Sequence, residues 1–219
     1  AQKRNIRFLY ETNVAAGLPV ISTLNDLVQS GDKVLKVEAI LSGTLNYIFN
    51  TVSAEKSLSN VVREAMKKGL TEPDPRVDLS GADVARKILI LARELGYELS
   101  LKDVEMKPFL PAQVLNAEDV EGFLSRLGDY DQQFEQQRAE LDPGGEKFRV
   151  IARFEEGRAT VDLERFDQTH PFYTAAGSDN IVLFTTKRYF EQPLMIKGPG
   201  AGAEVTAAGV FADIIRIAW

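Results

Sequence analysis

The chain has 219 residues, 26 Lys plus Arg against 32 Asp plus Glu for a net charge of −6, one His and no Cys. Thiol nucleophiles, disulfides and Cys/His metal clusters are therefore excluded, and imidazole chemistry would have to pass through His170 alone. A mild acidic balance argues against a nucleic-acid partner, and no apolar run of about 18 residues offers a membrane span; lysine, carboxylate and oxygen-ligand chemistry stay open, a soluble chain is expected, and the absence of Cys is compatible with a cytoplasmic address.

The chain opens Ala1-Gln2-Lys3 with no initiator Met, as an excised piece of a longer protein would. Ile6–Tyr10 alternates like a strand, and the turn Ala15-Ala16-Gly17-Leu18-Pro19 leads into an amphipathic helix over Val20–Val28. Ser30-Gly31-Asp32 stops it, and Val34–Leu41 reads as a strand with one better-covered end. A strand-to-helix junction at Ser42-Gly43-Thr44 opens a helix over Leu45–Val52. Ser57 or Ser59 caps the next helix, which runs to a C-terminal Gly69. Leu70–Ser80, rich in Pro and Asp, is predicted to be a structured loop, neither helix nor strand.

Ala82–Leu95 has strong helical periodicity and ends at Gly96. A short helix at Leu101–Glu105 and a connector at Lys107–Pro111 lead to a long polar helix from Glu118 to Leu141, broken by Asp142-Pro143-Gly144-Gly145. Phe148–Phe154, Ala159–Phe166 and Ile181–Tyr189 read as strands, the first two joined by a hairpin at Glu156-Gly157. Gly198, Gly200 and Gly202 follow a short strand and introduce a terminal helix, Val205–Trp219. The fold class is α+β, a mixed or antiparallel sheet with flanking helices whose central strands come late; no strand, Gly-x-Gly-x-x-Gly and helix occur in one βαβ unit, so a complete Rossmann domain is absent.

The informative stretch is Ala65 to Lys87. Asp83 and Lys87 stand four apart on one helix face, Asp78 lies just upstream, and Glu72 can fold back from the loop. Three carboxylates can thus converge on one ammonium. On spacing alone the favoured reading is helix-start electrostatics, with an acid–Lys pair worth roughly 0.3–0.5 kcal/mol.

The weighting changes because this stretch resembles the signature of homoserine dehydrogenases: Gly69 followed by Thr71-Glu72-Pro73-Asp74-Pro75, then Asp78-Leu79-x-Gly81-x-Asp83, then Lys87. The resemblance extends to Tyr10–Pro19, similar to the family's monovalent-cation loop; to Leu41–Asn46, similar to its substrate loop; and to Gly200–Gly209, similar to its C-terminal helix entry. It implies NAD(P)-dependent interconversion of L-homoserine and L-aspartate 4-semialdehyde, in threonine and methionine biosynthesis. By that resemblance Lys87 is the acid/base, oriented by Asp83; Glu72 and Asp78 hold the substrate ammonium and hydroxyl; and Gly43 and Thr44 present backbone groups to the substrate, although an ordinary strand-to-helix turn fits them nearly as well. A sodium or potassium ion would take the Glu11 side chain or backbone and the carbonyls of Val14, Ala16 and Leu18.

The resemblance also implies a substrate-binding and dimerising domain over 1–199, and over 200–219 a helix that rejoins an absent cofactor domain, with Gly202 on the nicotinamide side. A homodimer is expected, along with an upstream cofactor half and, from the ending Ile214–Trp219, fusion to an aspartokinase. Without the cofactor half and the family's second lysine, the isolated chain is expected to be inactive. The competing reading is a noncatalytic oligomerisation or regulatory module whose acids and Lys87 form a surface salt-bridge network. His170 is expected at the surface, and Trp219 against the last helix or at the surface.

Overall fold

The computed structural model describes residues 7–218; Ile6 of the predicted first strand and Trp219 lie outside them. Six strands, β1 (Val34–Ile40), β2 (Val104–Met106), β3 (Lys147–Glu155), β4 (Arg158–Phe166), β5 (Asp179–Thr186) and β6 (Leu194–Pro199), form one sheet in the order β2-β4-β3-β1-β5-β6. Only the β2–β4 pair is parallel, so the sheet is mixed, as the α+β reading requires. The hairpin between β3 and β4 turns on Glu156 and Gly157 at φ 50° and 79°. Two central turn residues with positive φ match the right-handed twist of the flanking strands, and glycine adopts that conformation without steric cost.

The eight helices among the described residues are α1 (Val20–Gln29), α2 (Gly43–Thr51), α3 (Leu58–Lys67), α4 (Pro75–Leu79), α5 (Ala82–Glu94), α6 (Ala112–Leu115), α7 (Val120–Ala139) and α8 (Ala203–Ala218). α2 and α5 lie against the sheet, and α7 packs on α3. α5 buries Val84, Ala85, Ile88, Leu91 and Ala92, a spacing of three and four that puts one stripe into the core. α7 buries Phe123, Leu124, Leu127, Tyr130 and Phe134 and keeps its glutamines on the other side, as its polarity predicts. A smaller cluster on the opposite sheet face gathers Ile40, Ile151, Phe166, Phe172, Ile181 and Leu183.

The structure corrects several expectations. Residues 7–10 form no strand; the chain winds directly into a 3-10 turn at Glu11–Asn13, and the Tyr10 hydroxyl donates to Glu94. Leu70–Ser80 contains a helix, α4, because its Asp and Pro are helix-start residues: the Asp74 carboxylate caps by accepting from the Arg76 amide at 3.0 Å, and Pro75 occupies the first turn. Leu101–Asp103 is a single 3-10 turn, and the chain then extends into β2. The sheet's centre holds the early strand β1 beside the late β3, since β1 contributes to the core on both faces, Val37 and Ala39 on one and Ile40 on the other.

Two polar assignments also differ. Ser57 occupies the N-cap position of α3 without a side-chain cap bond, while Asp131 of α7 accepts from the Ser59 amide at 2.8 Å and hydroxyl at 2.5 Å. His170 is half-buried, not a plain surface residue. Its ring lies 4.4 Å from that of Phe166 and 4.8 Å from that of Phe172, and Nδ1 accepts from the Phe172 amide at 3.2 Å. Burial holds its pKa below the ordinary imidazole value.

Candidate active site

β1 ends at Ile40, and Leu41 leads through Ser42 into α2. The Ser42 hydroxyl caps α2 by accepting from the Leu45 amide at 3.2 Å. The amides of Gly43 and Thr44 at this helix start have no acceptor among the described residues. Such orphan donors, aligned with the positive end of the helix, suit an anionic group. Gly43 is also where the backbone must be bare, since a Cβ would stand 3.0 Å from both the Ser178 Cβ and its carbonyl oxygen.

The 70–80 segment folds over this helix start. The Thr44 hydroxyl donates to the Leu70 carbonyl at 2.5 Å, and the Glu72 amide donates to the Asp78 carboxylate at 2.9 Å. Burial is the largest influence on Asp78, raising its pKa above the usual carboxylate value; the neighbouring Glu72 charge adds to the rise, and the hydrogen bond from the Glu72 amide opposes it. The Glu72 side chain is exposed beside this cluster.

Gly81, at φ 71°, turns the chain into α5. One turn along, the Lys87 ammonium pairs with Asp83 at 2.9 Å, as the spacing of four predicts. It also donates to the Leu41 carbonyl at 2.8 Å. An ammonium has three N–H donors, so one remains without a partner among the described residues. Lys87 is 20% exposed and Asp83 58%, so the lysine is seated on the fold while the aspartate opens to solvent. Leu41 opens the segment that resembles the substrate loop, but the part its carbonyl plays in holding Lys87 leaves no residue-type signal. Through that carbonyl, α5 and the α2 start are joined; of the three carboxylates expected around Lys87, Asp83 alone pairs with it among the described residues, while the Glu72 amide bonds the Asp78 carboxylate.

The Glu11 loop lies elsewhere. The Glu11 carboxylate accepts from the amides of Ile21 at 2.7 Å and Ser22 at 3.0 Å, and pairs with Arg216 of α8 at 3.2 Å. Its side chain is thus committed to capping α1 and anchoring α8, and donors already surround it. The Leu18 carbonyl accepts from the Val20 amide at 2.8 Å. The carbonyls of Val14 and Ala16 belong to buried residues and accept nothing among the described residues. Those two fit a hard cation; the Glu11 side chain fits a structural role better. We expect Glu11→Ala to cost about 1–2 kcal/mol through loss of the cap, read as a fall in Tm of roughly 3–6 °C; an unmoved Tm would refute the capping role.

The Gly200-Ala201-Gly202 strap joins β6 to α8, whose Gly209 and the facing Gly17 let helix and loop touch: a Cβ on Gly209 would stand 2.6 Å from Thr12, and one on Gly17 would overlap the Val205 carbonyl. Gly202, Ala203 and Thr206 line an open surface with the apolar Val210, Phe211 and Ile214. Gly202 stands at a glycine-built, exposed helix start that a large ligand can approach.

The described residues thus form a sheet flanked by helices, with a lysine–carboxylate pair beside a helix start. Residues 19–215 match the family model for homoserine dehydrogenase, and the chain belongs to that family. It is 47% identical over its whole length to the chloroplastic bifunctional aspartokinase/homoserine dehydrogenase 1 of Arabidopsis thaliana, spanning 24% of that protein. It is 44% identical over 95% of its length to homoserine dehydrogenase of Schizosaccharomyces pombe, spanning 58% of it. A putative homoserine dehydrogenase from Archaeoglobus fulgidus superposes with a TM-score of 0.78 at 26% identity, covering 99% of this chain and 60% of its own. A hyperthermophilic archaeal homoserine dehydrogenase in complex with NADPH has the same fold, with a TM-score of 0.74 at 24% identity over 100% of this chain and 57% of its own. No helix among the described residues is long and apolar enough to cross a membrane.

Proposed function

We propose that this chain is the substrate-binding part of a homoserine dehydrogenase that interconverts L-homoserine and L-aspartate 4-semialdehyde, a step of threonine and methionine biosynthesis. The observation that carries the reading is Lys87, held by the Leu41 carbonyl and Asp83 with one N–H to spare, next to the open α2 start. The homologous fold that holds NADPH supports a nicotinamide cofactor, which when bound supplies the hydride acceptor for oxidation and the donor for reduction.

The chain's own residues bind, orient and move the proton. Glu72 and Asp78 receive the substrate's ammonium and hydroxyl, opposite charge meeting charge. The free amides of Gly43 and Thr44 take its carboxylate. In reduction, Lys87 donates a proton to the oxygen at C4 as negative charge develops there, and in oxidation it withdraws that proton. Asp83 fixes the ammonium's direction, and the Leu41 carbonyl prevents it from swinging away. A monovalent cation would sit on the Val14 and Ala16 carbonyls, stiffening the loop against α8.

The cofactor half of the protein packs on the outward face of α8, where Val210, Phe211, Ile214 and Ile217 are exposed. Gly202, at the start of that helix, stands on the nicotinamide side. The sheet face bearing the Lys36–Glu38–Arg153–Glu164 ion network pairs with a second copy in a homodimer. Fusion to an aspartokinase is supported by the Arabidopsis relative.

The test is substrate binding in the full-length polypeptide. Asp78→Asn should raise KM for homoserine by about ten- to a hundredfold, the worth of one charge-assisted hydrogen bond, with Tm held. Because the Asp78 pKa is raised, wild-type KM should begin to climb as pH falls at a higher pH than an ordinary aspartate would give. A KM within about twofold of wild type in Asp78→Asn would remove Asp78 from the substrate site.

A further inference from the structure

Asn180, near the start of β5, is 1% exposed. By the two-residue period of a strand its side chain shares a face with those of Val182 and Phe184, which join the helix-covered core, so it lies on the same sheet face as α5. The register that pairs Ile40 with Ile181 continues to set Leu41 opposite Asn180, and Leu41 is the residue whose carbonyl holds the Lys87 ammonium. Both Asn180 amide atoms are buried, and neither has a hydrogen-bond partner among the described residues. An unsatisfied buried amide is costlier than an apolar side chain of the same shape, and buried amides nearly always find partners. One left wholly without them marks a neighbour that can move.

That neighbour is Gly200. A Cβ there would overlap the Asn180 amide, so the strap backbone lies directly on it. Gly200 sits between Gly198, which faces Asn180 across the β5–β6 ladder, and Gly202 at φ 123°. Glycines leave the strap free to rotate a peptide group, whereas Asn180 is fixed in the sheet.

We propose that Asn180 is a positioning residue for the nicotinamide cofactor: its amide hydrogen-bonds a strap peptide once the cofactor is seated, and so fixes Gly202 and the first turn of α8. The inference rests on the dehydrogenase reading above. The strap is the link between the amide and the exposed surface at Gly202, Ala203 and Thr206. A bound cofactor there draws on the hydrogen-bonding capacity that Asn180 holds unused.

The experiment uses the full-length polypeptide and titrates NADPH and NADH by their own fluorescence, alongside thermal unfolding and homoserine KM at saturating cofactor. Asn180→Leu keeps the shape and removes the amide. It should leave Tm equal or higher, since an unsatisfied polar group is gone, yet weaken the Kd of the preferred reduced cofactor about tenfold with homoserine KM unchanged. Gly200→Ala should weaken the same Kd by driving the strap off the amide; the Gly200 φ lies outside the left-handed region, so alanine is tolerated by the backbone and this variant decides if Asn180→Leu fails to fold. Wild-type Kd in a folded Asn180→Leu, or in Gly200→Ala where Asn180→Leu does not fold, would overturn the inference while a wild type that binds cofactor and oxidises homoserine keeps the dehydrogenase reading. A folded wild type that binds neither reduced cofactor would overturn both.

Discussion

Lys87→Met in the full-length polypeptide will lower kcat for homoserine oxidation by about 10²–10⁴-fold, the range for removing a positioned general acid–base group. Methionine keeps the aliphatic stem that packs along α5, so far-UV circular dichroism and Tm should remain close to wild type. The Asp83–Lys87 pair stabilises an exposed helix by only roughly 0.3–0.5 kcal/mol, too little for its loss to explain a collapse in rate. The structure sharpens the expectation, because Lys87 is anchored on the Leu41 carbonyl as well as on Asp83. Asp83→Asn should therefore be milder than Lys87→Met: the carbonyl still holds the ammonium, and only its second direction is lost. Turnover by Lys87→Met within about threefold of wild type would sink the assignment.

The second large effect is on stability. Arg149, on β3, is 1% exposed and has no carboxylate partner among the described residues. Its guanidinium instead donates to the carbonyls of Phe148 at 2.7 Å, Phe172 at 3.0 Å, Tyr173 at 3.1 Å and Ala175 at 3.4 Å. Burial pushes its pKa down to about 10, which still leaves it charged at neutral pH. The acceptors after Phe148 belong to the 3-10 turn Pro171–Thr174 and its C-cap; the Phe172 and Ala175 carbonyls also accept from the Ala175 amide and the Asn50 side chain, whereas that of Tyr173 has no other donor among the described residues. The loop beyond the turn continues to Ser178, the residue seated against Gly43. Arg149→Met should cost about 2–4 kcal/mol by removing the buried guanidinium's hydrogen bonds, which tie β3 to that turn, and by leaving the Tyr173 carbonyl without a donor, a fall in Tm of roughly 5–15 °C in thermal unfolding. Arg149→Lys, which restores a charge but not the fork, should recover only part of it. A Tm shift in Arg149→Met below about 2 °C would show that the guanidinium holds nothing.

The residues that made the fold readable were those whose local chemistry acts alone. The periodicity of Ala82–Leu95, the breaker at Asp142–Gly145 and the Glu156-Gly157 turn each specify structure within one segment, and the helices and hairpin stand there. What the sequence hid depended on distant partners. β2, with three residues, exists because β4 offers it an edge, and Tyr10 is drawn from a strand-like run toward Glu94, far along the chain. α4 is hidden for a different reason: Asp and Pro break a helix from within, but Asp74 and Pro75 stand at its start, where both are favoured.

The candidate site divides in the same way. Asp83 and Lys87 were legible because helix geometry fixes their distance. The Leu41 and Leu70 carbonyls, which tie Lys87 and Thr44 into place, carry no side-chain signature. Glu11 was legible as important but not in kind: its carboxylate meets amides and Arg216, which only the docking of α8 onto the first loop supplies. Asn180 lies in no motif and stands out only because its burial and its missing partners are seen together.

The most direct measurement is the homoserine-dependent reduction of NAD or NADP by the purified full-length polypeptide, followed by the absorbance of the reduced cofactor, with Lys87→Met as its control. Reduction that requires homoserine, yields the C4 aldehyde and disappears in a folded Lys87→Met is the predicted result. A folded polypeptide that binds the cofactor yet reduces none of it in the presence of homoserine would contradict the dehydrogenase assignment and favour a noncatalytic module.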